Sequence, residues 1–288
     1  MGGDGVTLLA IETATDTVGV ALLRDDGAVA ERVHAGGRAH AELLAPSIAE
    51  VCAVSGCTVA DIDAIAVDVG PGLFTGLRVG VATAKAMAQA LGIRVLGVSS
   101  LDVLAAAALE AASGTADGSV GAMASVIDAR RGEVFAAVYR FDQHAGREAP
   151  GSTPGHAPTG ELVDPGSVRQ DRMEPLAPEA LVDWLLAVAG RAGTVAVVGD
   201  GALRYRALLA GHRAFDLSLV DAGLAAPPPL ALVGLARRRL DSGVASLAPR
   251  ELVPEYRRPA DARINWEQRP TRPPAPTPAA GPEIGRPR

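Results

Sequence analysis

The chain has 288 residues, 48% apolar but only 3% aromatic, so its core must be built from alanine, valine and leucine rather than rings. With 27 basic and 33 acidic residues the net charge is −6, which excludes a generally basic nucleic-acid-binding surface. Two cysteines, Cys52 and Cys57, are too few for a disulfide framework or a zinc cage, and they read as reduced thiols of a cytoplasmic protein.

No apolar run reaches the ~20 residues of a membrane helix. Residues 1–5 lack the basic-then-apolar pattern of a signal peptide. Residues 6–11 read as a short apolar strand, followed by a polar turn at Glu12 to Asp16. Strands follow at 18–23 and 28–33, joined by the hairpin turn Asp25-Asp26-Gly27. Three consecutive antiparallel strands are not the start of a doubly wound dinucleotide-binding domain, which would place a helix after its first strand. Residues 39–54 have an apolar helical face, with Pro46 expected to kink the helix or delay its start.

Residues 65–69 form a buried central strand. It runs into Gly70, Pro71, Gly72, Thr75 and Gly76, a glycine loop that opens a helix over 76–91. Thr75 or Gly76 is the expected cap. The spacing matches neither G-x-G-x-x-G nor G-x-x-x-x-G-K-[ST], so it does not identify a phosphate cradle. A strand over 95–98 and a helix over 101–112, capped by Ser99-Ser100, complete a βββαβαβα order. That order is the one expected of a ribonuclease-H-like sheet.

A second unit repeats the hairpin logic. A strand at 122–127, a charged turn opening at Asp128, and a strand at 134–141 follow each other. Residues 143–178 are proline- and glycine-rich, with an edge strand expected at 161–163. Helices are expected over 179–189, 203–209 and 230–241, strands over 195–198 and 252–256, and a disordered tail from about residue 267. Glu12, Asp68 and Asp128 are the acidic residues at strand ends. Mg²⁺-phosphate binding and ordinary turn chemistry are both open for them. No G-x-S-x-G, H-E-x-x-H or cysteine/histidine motif accompanies them.

Five segments occur in order: Leu9-Ala10-Ile11-Glu12-Thr13-Ala14-Thr15, His40-Ala41-Glu42-Leu43-Leu44-Ala45-Pro46, Gly70-Pro71-Gly72-Leu73-Phe74-Thr75-Gly76-Leu77-Arg78-Val79-Gly80, Gly97-Val98-Ser99-Ser100-Leu101 and Ile127-Asp128-Ala129-Arg130-Arg131-Gly132-Glu133-Val134. Together they resemble the bacterial TsaB (YeaZ) family of tRNA threonylcarbamoyladenosine biosynthesis proteins, well over residues 6–140 and more weakly beyond. The resemblance implies an α/β fold of two ribonuclease-H-like lobes of the actin/Hsp70/sugar-kinase (ASKHA) type. The lobes would be residues 1–112 and 113–266, with the 227–241 helix packing back on the first.

It also implies a non-catalytic partner of TsaD, the subunit that attaches threonylcarbamoyl to adenosine 37 of ANN-decoding tRNAs. A TsaE-like ATPase, a homodimer through the same helices, and indirect contact with tRNA belong to this picture. ATP and a metal ion would sit in the partner subunits rather than in this chain. The H-x-x-x-H metal motif of TsaD-like proteins is replaced by Ser100 and Leu104, which cannot ligate metal in its place. Glu12, Thr13 and Asp128 would be a degenerate nucleotide turn. The partner-binding positions implied on the first two helices are His40, Leu43, Leu44, Leu77, Gly80, Val81, Ala84, Lys85 and Ala88. The alternative is an independent ATP-dependent phosphotransferase or ATPase on the same fold.

Overall fold

The computed structural model describes residues 5–36, 39–113, 122–141, 167–172 and 174–257. The expected strand at 161–163 and the tail from 267 lie outside the described residues. The first sheet begins with β1 (Leu8–Glu12), β2 (Thr17–Leu23) and β3 (Val29–Ala35), then α1 (His40–Val54), β4 (Ala64–Gly70), α2 (Phe74–Leu91), β5 (Arg94–Ser99) and α3 (Ser100–Ser113). Its strand order is β3-β2-β1-β4-β5. β1, β2 and β3 are antiparallel, while β4 and β5 add in parallel.

The second sheet takes β6 (Ala122–Arg130), β7 (Glu133–Phe141) and β8 (Ser167–Asp171). After α4 (Pro178–Ala192) come β9 (Val195–Val198), α5 (Asp200–Arg204), α6 (Arg206–Leu209), β10 (Phe215–Asp216), α7 (Ser218–Asp221) and α8 (Pro229–Asp241). The order β10-β9-β6-β7-β8 has three antiparallel strands and two parallel additions, the same topology as the first sheet. Two ribonuclease-H-like lobes are therefore built on one plan.

Strand alternation sorts the core into layers. Leu9, Ile11, Ile65 and Val67 face α1 and α2, while Leu8, Ala10, Ala64 and Ala66 face a middle layer holding α3 and α8. The second sheet turns Met123, Ile127 and Tyr139 to that middle layer and Ala124, Val126 and Val138 to α4. The middle layer is rich in alanine (Ala105, Ala106, Ala108, Ala231, Ala236), which lets α3 and α8 lie close between the two sheets.

Several local expectations are corrected. Pro46 lies inside one continuous α1. The carbonyl it leaves without an intrahelical donor belongs to exposed Glu42, where water can serve it. α2 starts at Phe74, with Leu73 as N-cap and no side-chain cap, so neither Thr75 nor Gly76 performs that role. The single helix expected over 203–209 is two short ones, broken at Tyr205 (φ −104°, ψ 24°). Residues 252–256 form no strand. They run as an extended strap in which Glu255 N–H donates to the Val69 carbonyl at 2.7 Å and the Leu252 carbonyl accepts from Lys85 Nζ at 2.9 Å.

A buried charge network joins the second lobe to the middle layer. Asp102 on α3 accepts from Tyr139 Oη (2.7 Å), Arg169 Nη1 (2.9 Å) and Arg239 Nη2 (2.8 Å). Burial and the Asp102 charge push the Tyr139 phenol well above its ordinary value, so it stays a donor. Arg257, at the end of the strap, makes a two-pronged pair with Asp171 on β8. Asp102→Ala removes the carboxylate that neutralises two arginines at once. It is expected to cost about 3–5 kcal/mol in urea unfolding, with Asp102→Asn losing less.

Candidate functional site

The β1–β2 turn is closed by its own groups. Ala14 N–H donates to Glu12 Oε1 at 2.7 Å, and Glu12, Thr13, Ala14 and Thr15 are all buried. The glycine loop and the first turns of α2 sit directly on this turn. Leu73 N–H donates to the Ala14 carbonyl at 2.6 Å. A Cβ on Gly72 would fall 2.2 Å from Ala14 O, one on Gly76 2.1 Å from Thr13 O, and one on Gly80 2.3 Å from Thr13 Oγ1. Gly72 and Gly76 are needed for backbone-on-backbone approach, and Gly80 for room beside the Thr13 side chain. Gly70 has another requirement, a φ of 109° where β4 turns out of the sheet before Pro71. His40 closes the same turn from α1, its Nε2 donating to the Thr15 carbonyl at 2.8 Å.

Beneath the turn lie two carboxyls, both fully buried. Asp68 Oδ1 accepts from Gly70 N–H (2.7 Å) and Ser100 Oγ (2.6 Å). The remaining oxygens, Glu12 Oε2 and Asp68 Oδ2, have no N–H or O–H donor among the described residues. Burial, followed by the neighbouring Asp68 carboxylate, pushes Glu12 well above the usual carboxylate range. Asp68 is raised chiefly by burial, while the hydrogen bond from Glu12 favours its charged form. Both groups are thus biased toward keeping a proton, Glu12 the more strongly. The start of α2 covers the β1–β2 turn, with Gly72 and Gly76 against the Ala14 and Thr13 carbonyls.

On the facing lobe, Asp128 is also satisfied from within. Its Oδ1 accepts from Arg130 N–H (2.9 Å), and its Oδ2 accepts from Arg130 Nη1 (3.1 Å) and Arg204 Nη1 (3.2 Å). Its own N–H donates to Asp200 Oδ1 at 2.8 Å, and burial pushes Asp200 up to about 6. Arg130 sits on a bulge with φ 62° and reaches Asp16 of the β1–β2 turn at 2.8 Å, tying one hairpin to the other. Asp128 is thus satisfied by the protein, whereas Glu12 and Thr13 are fully buried, and Glu12 Oε2 and Thr13 Oγ1 have no hydrogen-bond donor or acceptor assigned among the described residues. Among the described residues no group of three or more His, Cys, Asp or Glu has the geometry to hold a metal ion.

The nine positions expected to meet a partner divide sharply. Leu44, Leu77, Gly80, Val81, Ala84 and Ala88 are buried against the first sheet, and His40 is buried on the β1–β2 turn. They present no surface. The reason is the glycine contact: it seats the Gly76, Gly80, Ala84, Ala88 stripe inward, and Leu77 and Val81 flank it. Leu43 and Lys85 are half-buried. The open face of α2 is instead Thr75, Arg78, Ala82, Ala86 and Ala90, one helical turn apart, and α1 beside it exposes Ala41, Ala45, Ala49 and Ala53. The sequence carries both alanine registers equally, so periodicity alone does not separate them.

A family model described as TsaD, tRNA N6-adenosine threonylcarbamoyltransferase, matches residues 29–266. An uncharacterised protein of Mycobacterium bovis is 44% identical over 135 residues, 46% of this chain and 59% of that protein. The chain thus matches little more than half the length of that relative. The tRNA threonylcarbamoyladenosine biosynthesis protein TsaB of Bacillus subtilis is 27% identical over 266 residues, 91% of this chain and 98% of that one. The solved structure of YeaZ from Pseudomonas aeruginosa superposes with a TM-score of 0.61 at 28% identity, covering 87% of this chain and 99% of that one. The two-lobed fold is accordingly of the ASKHA type.

Two substitutions test the site. Gly76→Ala gains up to ~1 kcal/mol of helix propensity but drives a methyl into a carbonyl, so a net loss on the order of 1–3 kcal/mol is expected in chemical denaturation. The second concerns pH. Glu12 and Asp200 are raised in the folded state, so their contribution is fully present below the unfolded carboxylate values. It is lost as pH rises through the folded ones, around pH 6 for Asp200. Glu12→Gln stays neutral at every pH and should retain stability that the wild type loses on the alkaline side. Urea midpoints measured across pH check this; parallel curves for the two proteins would refute the upward push on Glu12.

Proposed function

This chain belongs to the family described as TsaD, tRNA N6-adenosine threonylcarbamoyltransferase, as a TsaB/YeaZ-type member, and on that premise we propose that it takes part in threonylcarbamoyladenosine formation on tRNA as a non-catalytic subunit that binds and activates a TsaD-type catalytic partner. The observation that carries this reading is the open face of α1 and α2. Its exposed residues are mostly alanines, with Arg78 as the only charged residue of the α2 stripe. Small side chains let a partner's helices approach closely, and the face's exposed charges are few, Arg78 on α2 and Glu42 and Glu50 on α1.

The hairpin turns support the absence of chemistry in this chain. Glu12 and Asp68 are both biased toward keeping a proton, Asp128 is held by two arginines, and the β1–β2 turn is covered by the start of α2. In this reading ATP and a metal ion are the business of the partner subunits, a TsaE-like ATPase joins the assembly, and tRNA is met indirectly. A homodimer through the same face would compete with the heterodimer.

Co-elution of the purified chain with a TsaD-type protein is the direct test. Ala82→Arg and Ala86→Arg place a charged side chain on the open face and should abolish co-elution while the circular dichroism spectrum stays unchanged. Ala84→Arg, buried at 0% exposure, should instead fail to fold. Retained co-elution of both open-face variants would overturn this docking face. Threonylcarbamoyl transfer or Mg²⁺-dependent ATP turnover by the chain alone would overturn the non-catalytic role.

A further inference from the structure

The two cysteines of the chain meet at the end of α1. Gly56 is in the left-handed region at φ 67°. Its N–H donates to the Ala53 carbonyl at 3.1 Å, and Cys57 N–H donates to the Cys52 carbonyl at 3.0 Å. These are the two bonds of a Schellman ending, in which the residue after the left-handed glycine folds back on the third-last residue of the helix. An apolar pair usually fills that contact; here both places are held by cysteine. Cys57 packs against the core cluster that includes Cys52. Cys52 is buried and Cys57 half-buried. Arg24 Nη1 pins the turn by donating to the Ser55 carbonyl at 2.7 Å. A closure of this kind brings the two Cα atoms to the separation of about 5–6 Å that a disulfide spans.

We propose that Cys52 and Cys57 form a thiol–disulfide modification site that takes a low-molecular-weight disulfide as oxidant and reversibly closes the last turn of α1 with a covalent bond.

The order of events follows from access and acidity. Burial, then the neighbouring Cys57 and Asp61, push the Cys52 thiol up to about 11, so it is a poor first nucleophile. Cys57, the partly exposed thiol, reacts first. Its thiolate attacks one sulfur of the small disulfide R–S–S–R, forming a Cys57–S–S–R bond and expelling R–S⁻, which takes up a proton. Cys52 then loses its proton to solvent, and its sulfur attacks Cys57 Sγ. The mixed disulfide breaks, the Cys52–Cys57 bond forms, and the second R–S⁻ leaves and is protonated. Two protein thiols are oxidised and one small disulfide is reduced to two thiols. The site stands on the ending of α1 alone and does not depend on the docking face proposed above.

Incubation of the full chain with oxidised glutathione, read by intact mass and free-thiol titration, tests the site. The wild type is expected to lose two hydrogens and both titratable thiols while retaining no glutathione. Cys52→Ala, lacking the resolving thiol, should hold one glutathione at Cys57. Cys57→Ala should stay unmodified, because its remaining thiol is buried. Oxidised wild type should also show slower amide exchange at residues 55–57, and reduced glutathione in excess should restore it. A wild type that keeps a stable glutathione adduct, or one that stays fully reduced, would overturn the proposal.

Discussion

The contact on which the molecule depends is the seating of α2 on the β1–β2 turn. Gly72, Gly76 and Gly80 let the backbone approach Thr13 and Ala14 at distances that no side chain would allow. Once that contact is made, the rotation of α2 about its axis is settled. Ala84 and Ala88 must continue the buried stripe, and Arg78, Ala82 and Ala86 must continue the open one. The same contact covers the β1–β2 turn. One packing decision thus buries that turn and settles which face of α2 stays open.

The carboxyls under the turn are consistent with that burial. Two acids placed together in a dry site each disfavour the other's ionisation. Asp68 also accepts from Gly70 and Ser100, so its charged form is the better supported of the two. Ser100 opens α3 at the end of β5. Here its hydroxyl completes the hydrogen bonding of Asp68 and so belongs to the scaffold.

The two lobes are held by polar links as well as by the alanine-rich middle layer. Asp102 gathers Tyr139, Arg169 and Arg239 from three elements. The C-terminal strap touches the first lobe through Leu252 and Glu255 and the second through Arg257. Arg78 on α2 joins the strap too, stacked 3.8 Å from the Phe74 ring centre and donating to Tyr256 Oη at 3.1 Å. None of these partners was legible in the sequence. Arg239 is there one of three consecutive arginines near the end of the expected 230–241 helix, and residues 252–256 are there expected as a strand.

Period-two and period-3.6 patterns, together with turn chemistry, determined the elements of the first lobe and of the second hairpin. Their order alone led to a ribonuclease-H-like sheet, and the quoted motifs led to the family. These features are local or nearly so, and the chain carries them in consecutive residues. The tertiary structure decided what the local pattern leaves degenerate. In α2, Ala82 and Ala86 are as small and apolar as Ala84 and Ala88, and only the glycines' contact with a turn some sixty residues earlier says which pair is inside. The upward push on Glu12 and Asp68 has the same origin. Each residue alone is an ordinary strand-end acid, and it is the parallel pairing of β1 with β4 that brings them together, away from water.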